Sequence, residues 1–411
     1  MERRLLEVED ARREVLERVA PLGSEQIPLR EALGRVLAED VDAPEPVPGF
    51  DNSAMDGFAV RADDTRRASE AAAVALRLVG ESRAGHPAEA VVGEGEAIAI
   101  STGAMVPDGA DAVIRVEDTA RGGSEVEVRA TVEPGRNIRR AAEDIAAGER
   151  VLAAGAVVGP AELGVIASTA RSAVACSRRP RLSVLVSGDE LIGPGEEMRP
   201  GAVRDSNAYT VPALAQAAGA DLAGIDHVGD DADATREAIG RALAADVAVV
   251  CGGVSVGEHD HVRRALRELG AEEVFWGVAL RPGKPTWFGT TPGAGLAFGL
   301  PGNPVSAMVT FILFVRQALL AMQGLDPCAR RTTAVLAEDY AKRPGRAHAV
   351  RCRLLQGEAG LIARPTKEQG SHVLTSMLGA DGLAILPTES ADLPAGQRVT
   401  VELLPRPTMT P

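Results

Sequence analysis

The chain has 411 residues, 45% of them hydrophobic and 25% charged, a globular composition with length for roughly two to four domains. Aromatic residues make up only 3%, so the cores must be aliphatic. With 58 acidic against 44 basic residues the net charge is -14, which argues against a nucleic-acid partner.

The start MERRLLEVED turns acidic too early for a secretory segment, and the apolar stretch 305–315 stops at Arg316, short of a membrane span. A cytoplasmic protein that engages no membrane is the expectation. Cys176, Cys251, Cys328 and Cys352 lie far apart with no CxxC pair, as reduced thiols do.

Taken in order, apolar spacing from Leu5 to Val19 predicts an amphipathic helix ended by Pro21 and Gly23, and a shorter helical pattern covers 29–37. Pro44, Pro46 and Pro48 then break the pattern and lead into a β-rich unit, 46–146, with short strands near 97–101, 112–116 and 125–128. Within it Asn52, Ser53 and Asp56 gather around a turn, and Ser101, Thr102 and Gly103 close a strand where they can donate to an anion. Arg136, Arg139 and Arg140 precede Glu143 and Asp144, either as a solvated charged face or as a basic edge turned to an anion. A helical pattern at 161–170 predicts a return to the first unit, giving a helical domain in two segments, 1–45 and 147–178.

From 179 to 326 strands and helices alternate as in an α/β domain with a parallel sheet, whose ligands bind at the carboxyl ends of its strands. Those ends carry Gly188, Asp189 and Glu190, then Asp230 and Asp231, with Asp205 and Ser206 ahead of an intervening helix. The central stretch, DVAVVCGGVSVGEHDH at 246–261, reads as a strand buried on both faces that runs into Gly252 and Gly253. These glycines let backbone amides approach an anion at the start of the next helix, while Glu258 and Asp260 reach the same mouth. An anion cradle beside two carboxylates makes sense with a divalent cation between them. Residues 253–257 also fit G-x-S-x-G, the nucleophile elbow of a hydrolase, with Ser255 as nucleophile and His348 or His372 as base. Further on, RPGKP sets Arg281, Gly283, Lys284 and Pro285 on a proline-stiffened loop. LPGNPVS places Pro301 and Gly302 before Asn303 as N-cap, with Ser306 in the first turn of an apolar helix to Met322. Short strands across 327–411 predict a separate all-β domain.

With PGFDNSAMDGFAVR, ISTGAMVPDGADAV, GRNIRRAAEDI, SGDEL, GGVSVGEHD, RPGKP and LPGNPVS all present, the whole chain resembles the molybdopterin molybdenumtransferase family, MoeA, related to the E domain of gephyrin. The resemblance implies a homodimer of four-domain subunits that inserts molybdate into adenylylated molybdopterin with Mg2+ and releases AMP, supplied with substrate by an adenylyltransferase. A scaffold without catalysis, as in gephyrin, is the alternative. The family's functional acids fall on Asp56, Asp144, Glu190 and Asp260 and its threonine on Thr102. Its Mg2+ ligands are expected at Glu190, Asp230 and Asp260. Oxyanion-binding positions look like Lys284, Ser306, Arg351 and Ser371. The cofactor substrate is expected along Gly188, Asp189, Asp205 and Ser206, the loop with Gly252, Gly253, Ser255 and Gly257, and both later glycine-proline loops. The inserted unit, which carries Asp56, Thr102 and Asp144, is expected to face the α/β domain of the partner subunit. Arg281 stands where the family commonly has lysine, and Lys284, set between Gly283 and Pro285, is expected to matter more to the oxyanion.

Overall fold

The structure, a computed structural model, describes residues 5–253, 261–293, 295–358 and 360–405. These residues divide into two compact units, one formed by Met1–Glu25, Gly34–Ala38 and Cys176–Pro411, the other by Gln26–Leu33 and Glu39–Ala175.

In the larger unit the described strands build a six-stranded sheet in the order Asp221–Val228, Arg181–Ser187, Val247–Cys251, Leu296–Leu300, Trp287–Thr290, Glu272–Trp276. The first four are parallel and the last two antiparallel. The sheet is therefore mixed, not parallel throughout as expected. The reason is local: Trp287–Thr290 and Leu296–Leu300 are joined by a short turn closed by Thr291 N donating to Gly295 O at 2.8 Å, too short for the crossover that parallel neighbours need. Phe288 packs between Phe275 and Phe298, with ring centroids 5.5 and 4.9 Å away. These few aromatics thus stack across the antiparallel edge.

Asn303 is the N-cap and Pro304 the first residue of the long helix, as predicted, although Asn303 makes no side-chain cap. The helix runs to Met322 with a π-helical stretch at Phe311–Val315. It is the one helix among the described residues long and apolar enough to cross a membrane, yet 83% of its apolar window is buried within the fold. A helix that is apolar all round belongs in a core. The helix Val8–Leu16 lies in the same core through Val8, Ala11 and Val15, and Arg12 Nε donates to Leu313 O at 3.3 Å.

C-terminal strands Ala347–Gly357, Gly360–Pro365, Arg331–Leu336, Arg398–Leu403 and Gly382–Leu386 pair in that cyclic order, and the last pairs back to the first. This closes a small barrel, which leaves those five strands no free edge. Leu280–Arg281 adds to it from outside, in register with Ala347 and His348.

The smaller unit holds a six-stranded sheet among its described residues, ordered Ala112–Arg115, Gly57–Val60, Glu96–Ile100, Val74–Ser82, Glu125–Val128, Thr119–Gly122. Phe58, Val60, Leu76, Ile114 and Val126 fill its core. The predicted helix over 29–37 is reduced to one 3-10 turn, Leu29–Glu31, because Gly34 adopts φ +74°, a left-handed value that ends a right-handed helix. Of the expected two-segment helical domain, the part within this unit contains one α-helix among its described residues, Pro160–Ser168, and otherwise short strands such as Val41–Asp42 paired with Arg150–Leu152.

Candidate functional site

Four parallel strands end nearly flush, with Ser187 beside Val228, Val186 beside Cys251 and Cys251 beside Leu300. Their carboxyl ends form one mouth. Gly252 N donates to Leu300 O at 3.0 Å, and a side chain at Gly252 (φ +91°) would come within 2.6 Å of Ser187 O. Only glycine lets the strands converge this closely. Gly302 reaches the same point, since a Cβ there would lie 3.7 Å from Gly252 Cα. Of the predicted central loop the structure describes Gly252 and Gly253. Ser255, Gly257, Glu258, His259 and Asp260 lie outside the described residues.

The sequence placed Asp205 and Ser206 near this mouth; Ser206 is the N-cap of the helix Asn207–Ala217 but makes no side-chain cap. Asp205 is buried, and its Oδ1 accepts from Ala208 N at 3.1 Å. Asn207, next in line, donates from Nδ2 to Gly302 O at 2.8 Å. Asp205 Oδ2 and Asn207 Oδ1 are buried without a hydrogen-bond partner, although His227 Nδ1 lies 3.2 Å from Asp205 Oδ2 and forms an ion pair with it when protonated. Burial, and secondarily the Asp205 charge, push the Cys251 thiol up to about 12. Buried acceptors without a hydrogen-bond donor are uncommon, and they mark this strand-end mouth as a candidate site.

Asp189 and Asp230 are also brought together, Asp189 Oδ1 accepting from Asp230 N at 3.0 Å. Glu190 is exposed, its carboxylate lying over Gly188. Among the described residues no three or more His, Cys, Asp or Glu side chains are placed to hold a metal.

The path leads on through Pro301–Asn303 into the long helix, where Val305 N donates to Ser371 O at 3.2 Å. Ser306 is buried in the first turn beside this junction. Just before Ser371, Gln369 and Gly370 line a cavity of about 300 Å3 with Arg281, Arg351, Tyr340 and His348. Arg351 is 1% exposed. Its Nε donates to Ser376 Oγ at 3.2 Å and its Nη2 to the carbonyls of Glu368 and Gly370 at 3.4 and 3.2 Å. Burial brings it down to about 10, still fully charged near neutrality. Gly283 packs against Thr310 and Leu280, whereas Lys284 is exposed and absent from the lining of this cavity.

Sequence reasoning missed the ground next to it. A cavity of about 690 Å3 shares Arg281 and His348 and adds Lys342, Arg343, Arg346 and Asp392. The signal was the cation run KRPGRAH at 342–348, which strand spacing obscured. Burial, then the charges of Arg281, Lys342 and Arg346, push His348 down to about 4, too weak a base for the hydrolase role. The unfolded chain then binds a proton that the folded chain refuses, so stability should fall as the pH drops from 6.5 to about 4, by on the order of 2 kcal/mol. His348→Gln should flatten that part of the stability curve, as read by urea unfolding at each pH. An unchanged slope would show that His348 is not held neutral.

Within the smaller unit Asp56 Oδ1 accepts from Thr102 N at 2.7 Å and from Thr102 Oγ1 at 2.9 Å. These two bonds hold the exposed Asp56 carboxyl below its ordinary value. Asp144 stands exposed where its N donates to Val47 O at 3.0 Å. Arg140, of the predicted basic edge, is committed to Asp51 at 2.5 Å.

Family models match in three consecutive blocks: MoeA N-terminal region (domain I and II) over 6–170, probable molybdopterin binding domain over 183–321, and MoeA C-terminal region (domain IV) over 333–404. A molybdopterin molybdenumtransferase of Haemophilus influenzae is 35% identical over 404 residues, 97% of this chain and 98% of that protein. The chain belongs to the MoeA family. Another member, molybdopterin molybdenumtransferase 2 of Mycobacterium tuberculosis, is 36% identical over 96% of this chain and 98% of its own length. Among solved members, two crystal structures of molybdopterin biosynthesis MoeA proteins from Pyrococcus horikoshii superpose with TM-scores of 0.82 and 0.79, at 33% and 30% identity. The match covers 97% and 98% of this chain and 99% and 100% of theirs.

Proposed function

We propose that the chain is a molybdopterin molybdenumtransferase that inserts molybdate into adenylylated molybdopterin and releases AMP. The observation that carries this reading is the pairing of two receptive places along one stretch of chain. The strand-end mouth offers the orphaned acceptors Asp205 Oδ2 and Asn207 Oδ1, suited to the N–H groups of a pterin. The cavity of about 300 Å3 offers Arg281 and Arg351, suited to a tetrahedral dianion. Lys284, Ser306 and Ser371 belong to the approach to that cavity. Gly188, Asp189, Ser206, Gly253, Pro285, Pro301, Gly302 and Asn303 shape the loops that hold the cofactor substrate.

Mg2+, held by Glu190 with Asp230 or Asp260, would neutralise charge on the departing phosphate. Thr102 fixes the Asp56 carboxylate in its ionised form through two hydrogen bonds, so that Asp56 acts as an acceptor. With Asp144 it completes the site, which we place between the subunits of a homodimer in the cytoplasm, where an adenylyltransferase supplies the substrate.

Incubation with adenylylated molybdopterin, Mg2+ and molybdate should yield AMP and metallated cofactor. Glu190→Ala should slow AMP release by at least about tenfold, a loss of about 1.4 kcal/mol in barrier lowering, with the fold kept because Glu190 is exposed. AMP release at the full rate in chelator-treated enzyme would end the metal role. A fully active monomer in light scattering would end the shared site.

A further inference from the structure

On the C-terminal barrel, antiparallel pairing of Ala347–Gly357 with Gly360–Pro365 sets Arg353 directly opposite Arg364. Like charges at facing positions of one sheet face repel unless an anion lies between them. Both are exposed, and among the described residues neither has an ion-pair partner. The Arg353 guanidinium lies against the turn at Gly379, where an added Cβ would come within 2.8 Å of Nη2.

The two arginines flank a cavity of about 450 Å3 that also takes in Lys367, Thr375 and one acid, Glu368. Three cations thus face one carboxylate, on a chain whose net charge is -14. That local excess runs against the charge of the whole chain, as expected where an anion is bound. On the rim Leu378 is 74% exposed, an apolar surface that a bare inorganic ion has no use for. The rear wall holds Ser376, whose Oγ accepts from Arg351 Nε, so the cavity backs onto the anchor of Arg351 without containing its guanidinium.

We propose that this cavity is a second anion site, distinct from that of Arg281 and Arg351, and that it takes a small organic phosphate monoester. The phosphate lies between Arg353 and Arg364 with Lys367 beside it, and the organic group covers Leu378. Charge-assisted forks from two guanidiniums supply the affinity, and the leucine supplies the preference for an ester over free phosphate. This proposal does not depend on the transferase reading.

The test uses the full chain, with phenyl phosphate and inorganic phosphate as probes, titrated calorimetrically at constant ionic strength without molybdopterin. Phenyl phosphate should bind several-fold more tightly than inorganic phosphate. Arg353→Gln and Arg364→Gln should each weaken both probes by about tenfold or more; Leu378→Ser should remove only the advantage of phenyl phosphate. Arg281→Gln should leave the advantage of phenyl phosphate over inorganic phosphate unchanged, and should remove only the separate binding of either tetrahedral anion in the neighbouring cavity. The site is refuted if neither probe binds beyond an equal concentration of chloride. It is equally refuted if binding survives Arg364→Gln but is lost in Arg281→Gln, which would put the phosphate in the neighbouring cavity. Because all these positions are exposed, the variants should keep the parent's melting profile.

Discussion

Glu402→Gln is expected to destabilise the larger unit by about 3–5 kcal/mol, the cost of stranding buried charge. Glu402 is 0% exposed in the strand Arg398–Leu403. Its Oε1 accepts from Arg12 Nη2 at 2.5 Å and Arg331 Nε at 2.6 Å, and its Oε2 from Arg316 Nη2 at 3.1 Å. Three guanidiniums are thereby held around one carboxylate, with Glu9 reaching Arg12 Nη1 at 2.5 Å. Burial, opposed by Glu402 and reinforced by Arg330, Arg12 and Arg331, lowers Arg316 to about 10. An amide keeps the size of the side chain but removes the buried anion of this cluster, leaving Arg316 and Arg12, both 3% exposed, facing each other and Arg331 with only the exposed Glu9 to offset them. The consequence reaches the site, because the network joins the helix Val8–Leu16, the long helix and the barrel, and so fixes where Arg351 stands. Urea unfolding of parent and variant measures the loss. A change below about 1 kcal/mol would mean the cluster behaves as an exposed pair does.

That network could not be read from the sequence, and the reason is instructive. Arg12, Arg316, Arg331 and Glu402 carry no local pattern, and each looks like an ordinary surface charge until the barrel closes. Local signals fared better. Glycine and proline punctuation with β-branched runs placed the strands Val247–Cys251, Glu125–Val128 and Arg398–Leu403 at or near their observed bounds, and Asn303–Pro304 marked a helix start correctly. The helix over 29–37 failed because apolar spacing was weighed without the left-handed turn at Gly34. The parallel sheet was overextended because strands Glu272–Trp276 and Trp287–Thr290 were not recognised among the loops around RPGKP. At the site, the strand-end glycines and Asp205 were legible since strand ends are where α/β sheets bind ligands. Asn207 was not, because its meaning depends on a bond to the distant Gly302; nor were Lys342, Arg346 and the basic setting of His348, which depend on the pairing of Arg281 with His348 across distant sequence.

From that pairing we expect Arg281 to matter more than Lys284, the opposite of the order the sequence suggested. Arg281 lines both basic cavities, while Lys284 lines neither. Arg281 is exposed, so Arg281→Ala should leave stability intact. It should weaken molybdate binding by about 2 kcal/mol, or about 30-fold, the size of a lost charge-assisted contact. Lys284→Ala should cost only a few-fold, through the screened field of an exposed charge, and that smaller loss should vanish first as salt is raised. Arg281→Lys keeps the charge while losing the planar fork, so its effect should fall between the two. A molybdate titration of the three variants at low and high ionic strength decides the order. A second readout owes nothing to activity: the Arg281 charge helps hold His348 down to about 4, so removing it should raise the His348 titration midpoint seen by NMR, and Lys284→Ala should not. Equal losses in molybdate affinity for Arg281→Ala and Lys284→Ala, with His348 unmoved by either, would place the oxyanion outside this cavity, on the exposed side of the RPGKP loop.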